Sequence, residues 1–262
     1  MDATNDARRK IMLDILKKKE LRGIKESVVH EILVQELRKN NIAKVPLAAL
    51  SEKDRKILVK SVRAGLRKIV GRFHRDIKNE KKDFSEEEIR NIINSHSSTK
   101  ERKEEYSMIM LLLEELKVQS ILDVGCGINP LAMASPDRTY YALDIDGEAL
   151  RIVEKFFEKK SISGRTILAD IKNVEEKEIP SADICFLFKV LDILDMKGHK
   201  NAEAVLKKLP CKYVLVSFSM KTLSGRAMSH PQRGWIEQLC NRLGYSWKLI
   251  KSKNEIFYLI SK

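Results

Sequence analysis

A chain of 262 residues with 43% hydrophobic and 33% charged side chains is long enough for one large domain or a modest pair, each with a real core. Its longest purely apolar run, residues 108–113, is far short of the ~18 residues of a membrane span, and residues 1–6 lack the basic start and apolar stretch of a secretory leader. Membrane-inserted and secreted classes are therefore set aside and a cytoplasmic protein is expected. The four cysteines, Cys126, Cys185, Cys211 and Cys240, form no metal-ligand spacing, so no zinc site or disulfide framework is expected. The formal net charge is +13, and ten of those charges lie in residues 1–100, which hold 25 basic against 15 acidic side chains. An excess of this size favours a polyanionic partner.

From residue 6 to residue 94 the apolar residues recur at helical spacing and nowhere at a period of two. Helices are predicted over residues 7–19, carrying Ile11, Met12, Ile15 and Leu16, and over residues 26–39, carrying Val29, Ile32, Leu33 and Leu37, with Gly23 as the break. A third starts at Ser51, capped with Asp54, and runs through Leu58, Val62, Leu66, Ile69 and Phe73. Its other faces carry Arg55, Lys56, Lys60, Arg63, Arg67, Lys68, Arg72 and Arg75, more cations than it has acids to pair with. A phosphate backbone would supply the missing anions, with a solvated charged face as the plain alternative. A short helix capped by Ser85 and Glu88 closes the region, and a hinge is placed at residues 95–99.

Beyond a helix over residues 99–116, strands are predicted at 118–124, 139–145, 165–169, 183–188 and 213–218, alternating with helical connectors. That alternation predicts a doubly wound, mostly parallel sheet with ligands at the strands' C-terminal ends. The first strand runs into Gly125-Cys126-Gly127, and Asn129-Pro130 opens the next helix, with proline where its missing N–H costs nothing. The second and third strands end at Asp144 and Asp170. Pro130 stands where a dinucleotide fingerprint has its third glycine, and no Walker loop is present, so NAD and ATP lose ground. A helix over residues 234–244 and two strands, 247–251 and 255–260, complete a seven-stranded α/β sheet that ends in an antiparallel hairpin.

A D-x-G-x-G turn with acids ending the next two strands resembles the S-adenosylmethionine site of class I methyltransferases. The resemblance implies that Gly125, Cys126, Gly127, Asn129 and Pro130 form the cofactor loop, that Asp144 and its neighbour Ile145 meet the ribose, and that Asp170 and Ile171 lie beside the adenine. Several segments sharpen the resemblance to the Arm-type aminoglycoside-resistance 16S rRNA (guanine-N7)-methyltransferases. They are His96-Ser97-Ser98-Thr99-Lys100-Glu101-Arg102, Asn129-Pro130-Leu131-Ala132 after the glycine turn, Leu187-Phe188-Lys189-Val190-Leu191, the segment from Ser217 to Arg226, and Glu255-Ile256-Phe257-Tyr258-Leu259-Ile260. Arg63-Ala64-Gly65-Leu66-Arg67-Lys68-Ile69 also resembles a helix of that family's docking domain.

The resemblance implies a basic helical ribosome-docking domain, residues 1–96, and a methyltransferase domain, residues 97–262. It implies docking through Lys56, Lys60, Arg63, Arg67, Lys68 and Arg72, and Arg102 against the cofactor carboxylate. It further implies Lys189, Phe218, Lys221 and Arg226 at the target base, with Phe218 stacking on it; a core ring for Phe218 and solvated loop charges for Lys221 and Arg226 are the plain alternatives. The partner is the small ribosomal subunit and its 16S rRNA, for a monomeric enzyme without metal. Departures concentrate in the target loop: Ser219 replaces a proline, Asp192 replaces another, and Ala227-Met228-Ser229-His230-Pro231 replaces a glycine- and lysine-rich stretch. Another rRNA or tRNA nucleotide, a ribosome-bound factor that holds cofactor without efficient chemistry, and a small-molecule methyltransferase are the rival readings.

Overall fold

The computed structural model describes residues 3–40, 45–70, 84–194, 198–222 and 226–262. The chain divides into two compact units. One is Met1–His74 with Ile145–Glu148; the other is Arg75–Asp144 with Ala149–Lys262.

The first unit packs α1 (Ala3–Leu16), α2 (Glu26–Lys39) and α3 (Glu52–Val70) around Ile11, Ile15, Val29, Leu33, Leu58 and Val62. Of the apolar stripes read from the sequence, Ile11, Met12, Ile15, Val29, Ile32, Leu33, Leu58, Val62 and Leu66 are buried and Leu16, Leu37 and Ile69 half-buried, while Phe73 lies outside the described residues. Helix α1 ends at Leu16, three residues before the predicted end. Its last carbonyls, those of Asp14 and Ile15, are taken by the guanidinium of Arg63, with Nε to Ile15 O at 3.2 Å, and this side chain satisfies groups that a helix end leaves open. Ser51 caps α3, its Oγ accepting from Asp54 N at 3.1 Å.

In the second unit the described strands β1 (Ser120–Val124), β2 (Thr139–Asp144), β3 (Gly164–Leu168), β4 (Ala182–Phe188), β5 (Cys211–Ser219), β6 (Ser246–Lys251) and β7 (Glu255–Ser261) form one sheet in the order β3-β2-β1-β4-β5-β7-β6. The first five pair in parallel; β7 inserts antiparallel between β5 and β6. Alternate residues feed two cores, one on each face. Ile184, Phe186, Leu215, Phe257 and Leu259 face one core, which also buries residues of α4 (Glu86–Ser95), α6 (Tyr106–Glu115) and α8 (Gly147–Lys160). Cys185, Leu187, Val214, Val216, Phe218, Ile256 and Tyr258 face the other, shared with α9 (Leu191–Leu194), α10 (Lys200–Lys208) and α11 (Gly234–Leu243).

The single helix expected over residues 99–116 is two, α5 (Ser97–Glu101) and α6. Between them the chain turns to bury the side chains of Arg102 and Glu105, which are 2% and 3% exposed. The helix after the glycine turn, α7 (Pro130–Met133), is one turn long with proline at its start. The strand order reverses between β1 and β4, which opens a crevice at their C-terminal ends.

Candidate functional site

The turn after β1 is clamped to the end of β2. Gly125 N and Cys126 N both donate to Leu143 O, at 2.8 and 3.3 Å, and Gly127 N donates to Asp144 Oδ2 at 2.7 Å. Gly125 and Gly127 hold φ of +66° and +50°, a left-handed conformation that favours glycine. A Cβ at Gly125 would lie 2.7 Å from Val190 Cγ2, so that position also has no room for a side chain. Cys126, between them, is buried, and its thiol donates to Gly127 O at 3.5 Å. Asp170 follows β3 and is 6% exposed; its Oδ1 accepts from Lys172 N at 3.0 Å and its Oδ2 from Asn173 Nδ2 at 2.8 Å. Ile171 is buried beside it, whereas Ile145 is half-buried and belongs to the helical unit.

Asn129 does not cap the helix that follows it. Its Nδ2 donates to Asp123 Oδ2 at 2.8 Å, and its Oδ1 accepts from Tyr106 OH at 2.9 Å and Arg102 Nη1 at 3.4 Å. Tyr140 OH donates to the same Asp123 oxygen at 2.6 Å. Burial pushes the Asp123 carboxyl up to about 6, against the pull of these hydrogen bonds.

Arg102 is fully buried and forks onto Glu255, with Nε and Nη2 at 3.2 and 3.1 Å from Oε2 and Nη2 at 3.0 Å from Oε1. Its guanidinium also lies 4.3 Å from the centre of the Phe188 ring. Lys189 has φ of +60°, and its ammonium sits between Glu101 Oε2 at 2.7 Å and Glu255 Oε1 at 3.2 Å. Burial opposes the charge on Glu255, but Arg102 and Lys189 outweigh it and hold the carboxyl below its ordinary value. Arg102 and Lys189 thus meet in one cluster through Glu255. The sequence reading missed Glu255; the available signal was a lone acid opening a strand whose next five residues are all apolar.

Phe218, expected to stack on a base, is wholly buried. Its ring packs edge-on against Trp235 at 5.7 Å and Tyr258 at 6.0 Å, with the Arg233 guanidinium 5.3 Å from its centre. It points with Val214 and Val216 into one of the two cores, so the stacking assignment is corrected to a core one. Lys221 and Arg226 are exposed on a small tongue beyond β5. Its arms are joined by Thr222 N to Arg226 O at 2.8 Å and by Met228 N to Met220 O at 2.8 Å. Ser219, in the place of a proline, builds the turn itself: its Oγ accepts from Lys221 N at 3.1 Å and donates to Lys221 O at 2.9 Å. Asp192, the other replacement, pairs with Arg233 at 3.2 Å.

In the helical unit the cations of α3 have more partners than the sequence reading allowed. Arg67 pairs with Glu20 at 2.6 Å, Lys56 with Glu52 at 2.8 Å, and Arg55 with Asp14. Arg63 caps α1. Lys60 and Lys68 are exposed, and Arg72 and Arg75 lie outside the described residues. Lys17, Arg55, Lys56, Lys60 and Arg63 line an open groove of about 450 Å³, with Asp14 and Glu52. Among the described residues no group of three His, Cys, Asp or Glu side chains is placed to hold a metal, and no helix is long and apolar enough to cross a membrane.

A mostly parallel sheet with a glycine turn after its first strand, acids closing the next two and an antiparallel hairpin at the end is the architecture of a class I methyltransferase. The model of the ribosomal RNA methyltransferase family FmrO matches residues 47–259, and the chain belongs to that family. It is 25% identical over 98% of its length to a 16S rRNA (guanine(1405)-N(7))-methyltransferase of Serratia marcescens, and covers 98% of that protein. Among solved structures, the 16S rRNA methyltransferase RmtF in complex with S-adenosyl-L-homocysteine superposes with a TM-score of 0.75 at 22% identity, covering 100% of this chain and 99% of that one. The 16S rRNA methylase ArmA matches at 28% identity with a TM-score of 0.52, over 66% of this chain and 90% of that one.

The methyl donor is S-adenosylmethionine. The crevice fits it in its donors and acceptors: the glycine turn follows β1, Asp144 ends the neighbouring β2 and holds Gly127 N at 2.7 Å, and Asp170 follows β3, so all three stand at the C-terminal ends of adjacent parallel strands.

Proposed function

We propose that the protein transfers a methyl group to N7 of a guanine in the decoding site of 16S rRNA, on the assembled small subunit, with aminoglycoside resistance as the consequence. The observation that carries this reading is the end-to-end alignment with the Serratia marcescens guanine-1405 enzyme, both chains covered to 98%. In this reading the protein is a cytoplasmic monomer and works without metal. Within residues 1–96 the docking part is the helical unit, since α4 packs into the core of the sheet unit, and residues 97–262 hold the cofactor and the target base.

When bound, S-adenosylmethionine supplies an electrophilic methyl group on a sulfonium. Guanine N7 is an unprotonated lone pair, so the acceptor needs no general base, and the protein's task is position and electrostatics. Asp144, whose Oδ2 already fixes Gly127 N at 2.7 Å, would accept hydrogen bonds from the ribose hydroxyls, and Asp170 and Ile171 would border the adenine. Arg102 would reach a cofactor carboxylate only while keeping its fork on Glu255. Its nearer effect is to hold Asn129, and so the glycine turn, in place. Lys189, tied to Glu101 and Glu255, presents a fixed positive charge at the end of β4. Lys221 and Arg226 on the tongue would grip phosphates beside the target nucleotide. For docking, Lys56, Lys60, Arg67 and Lys68 are the α3 cations offered to rRNA; Arg63 is assigned to the helix packing it serves.

The test offers purified small subunits, naked 16S rRNA and tRNA to the protein with labelled S-adenosylmethionine, and locates the modified nucleotide by mass spectrometry of digests. A 7-methylguanosine in the decoding site, made on subunits, is the expected product. Label in tRNA, or at another rRNA nucleotide, would replace this reading with its nearest rival.

A further inference from the structure

The tongue that carries Lys221 and Arg226 is held from behind by one residue of the β6–β7 turn. Asn254 bridges two separate parts of the domain. Its backbone N donates to the buried carboxylate of Glu105, at Oε1, 3.2 Å away, and its Nδ2 donates to Glu101 O at 2.9 Å. Its carbonyl accepts from Met220 N at 3.0 Å, and its Oδ1 accepts from Lys221 Nζ at 3.0 Å. Glu105 Oε1 also accepts from Ser252 Oγ at 2.8 Å, so the turn is fixed by a carboxylate that is itself 3% exposed. The next residue, Glu255, carries Arg102 and Lys189. One short turn therefore connects the cofactor-side cluster to the tongue. Nothing in the sequence spacing of Asn254 from Lys221 or Glu101 advertises this.

We propose that Asn254 is a positioning residue for methyl transfer: it fixes the direction of the tongue arms, residues 219–222 and 226–228, and so the place of the Lys221 ammonium relative to the cofactor edge. The amide is suited to this because it donates on one side and accepts on the other. Alanine would leave the backbone hydrogen bonds and free the lysine; aspartate would keep the lysine and set a carboxylate against the Glu101 carbonyl. The proposal rests on the rRNA-methyltransferase reading for its catalytic consequence, though not for the structural one.

Asn254→Ala is compared with the unsubstituted protein in the full chain by four measurements: S-adenosylmethionine affinity, melting temperature, steady-state methylation of small subunits, and amide hydrogen exchange by peptide. The expected result is exchange accelerated only in peptides spanning residues 219–228, unchanged cofactor affinity and melting temperature, and kcat/KM for subunits lowered about tenfold, the scale on which a small misplacement acts. In a Lys221→Met background the same substitution should cost less, because the two side chains share one hydrogen bond. Unchanged exchange in the tongue would overturn the proposal. So would a loss of cofactor affinity and melting temperature in parallel with activity, which would mark Asn254 as a general structural residue. If the exchange change appears while the unsubstituted protein binds cofactor but methylates no subunit, Asn254 still fixes the tongue, and its role in methyl transfer is overturned together with the substrate reading.

Discussion

The two units use charge in opposite ways. At the cofactor edge Arg102, Glu255 and Asp123 are 2%, 0% and 1% exposed, and each is matched by a partner that no solvent can replace. On α3 the cations stand at the surface, and their pairs, such as Lys56 with Glu52 and Arg67 with Glu20, are open to water and salt. The same residue types thus have unlike consequences: a buried partner removed leaves a bare charge in low dielectric, while an exposed partner removed is replaced by water. The lesson concerns α3 as much as the sheet. A row of cations does not become an RNA surface by composition alone, because some of its members, Arg63 above all, are occupied with the fold.

The sharpest break in this contrast is Glu255→Gln. It strands the Arg102 guanidinium and removes one of the two carboxylates on Lys189, and a destabilisation of about 3–5 kcal/mol is expected in denaturant unfolding. A loss no larger than that of an exposed ion pair would erase the distinction between the buried and the surface charges.

Next in size is Asp144→Ala. It removes the acceptor of Gly127 N, and isothermal titration should show S-adenosylmethionine affinity reduced about tenfold or more, with the sheet still folded by circular dichroism.

The third comparison lies within α3. Arg63→Ala removes the cap on the last carbonyls of α1 and should cost about 1–2 kcal/mol of stability. The pair Lys60→Glu and Lys68→Glu should leave the melting temperature unchanged, weaken subunit binding and flatten its log–log salt dependence by about one unit for each phosphate no longer neutralised. Equal effects on stability from the two sets would show that the surface and capping cations do not differ.

The smallest effect concerns pH. Folding raises the Asp123 carboxyl from 3.8 to about 6, so this group's contribution to stability is present at low pH and is lost as the pH rises through about 6. The stability of Asp123→Asn relative to the unsubstituted protein should therefore improve between pH 4 and pH 7. A flat difference over that window would mean that the burial of Asp123 is not felt.

What the sequence made legible was local. The apolar runs of β4 and β5, the Gly125-Cys126-Gly127 turn and the acids Asp144 and Asp170 follow from patterns within a few residues, and the structure sets the turn and the two acids at the C-terminal ends of one sheet. What stayed hidden spans long separations. Arg102 and Glu255 are 153 residues apart, Arg63 and Ile15 are 48, and no pattern within a window connects them. Phe218 is the intermediate case. Its placement with Val214 and Val216 on one face of β5 follows from alternation, but both faces of that strand are buried, so spacing left a core ring and a ring stacked on a base equally open.

The span between Arg102 and Glu255 also sets an order of assembly. The glycine turn can form as soon as β1 and β2 pair, but the counter-charge for Arg102 arrives only when the β6–β7 hairpin docks on β5. Pairings this distant in the chain close late, since the entropy of the loop must be lost before they reward it. A refolding chain should thus regain its parallel sheet first and its affinity for cofactor afterwards, and a cofactor added during refolding would act on the last step alone.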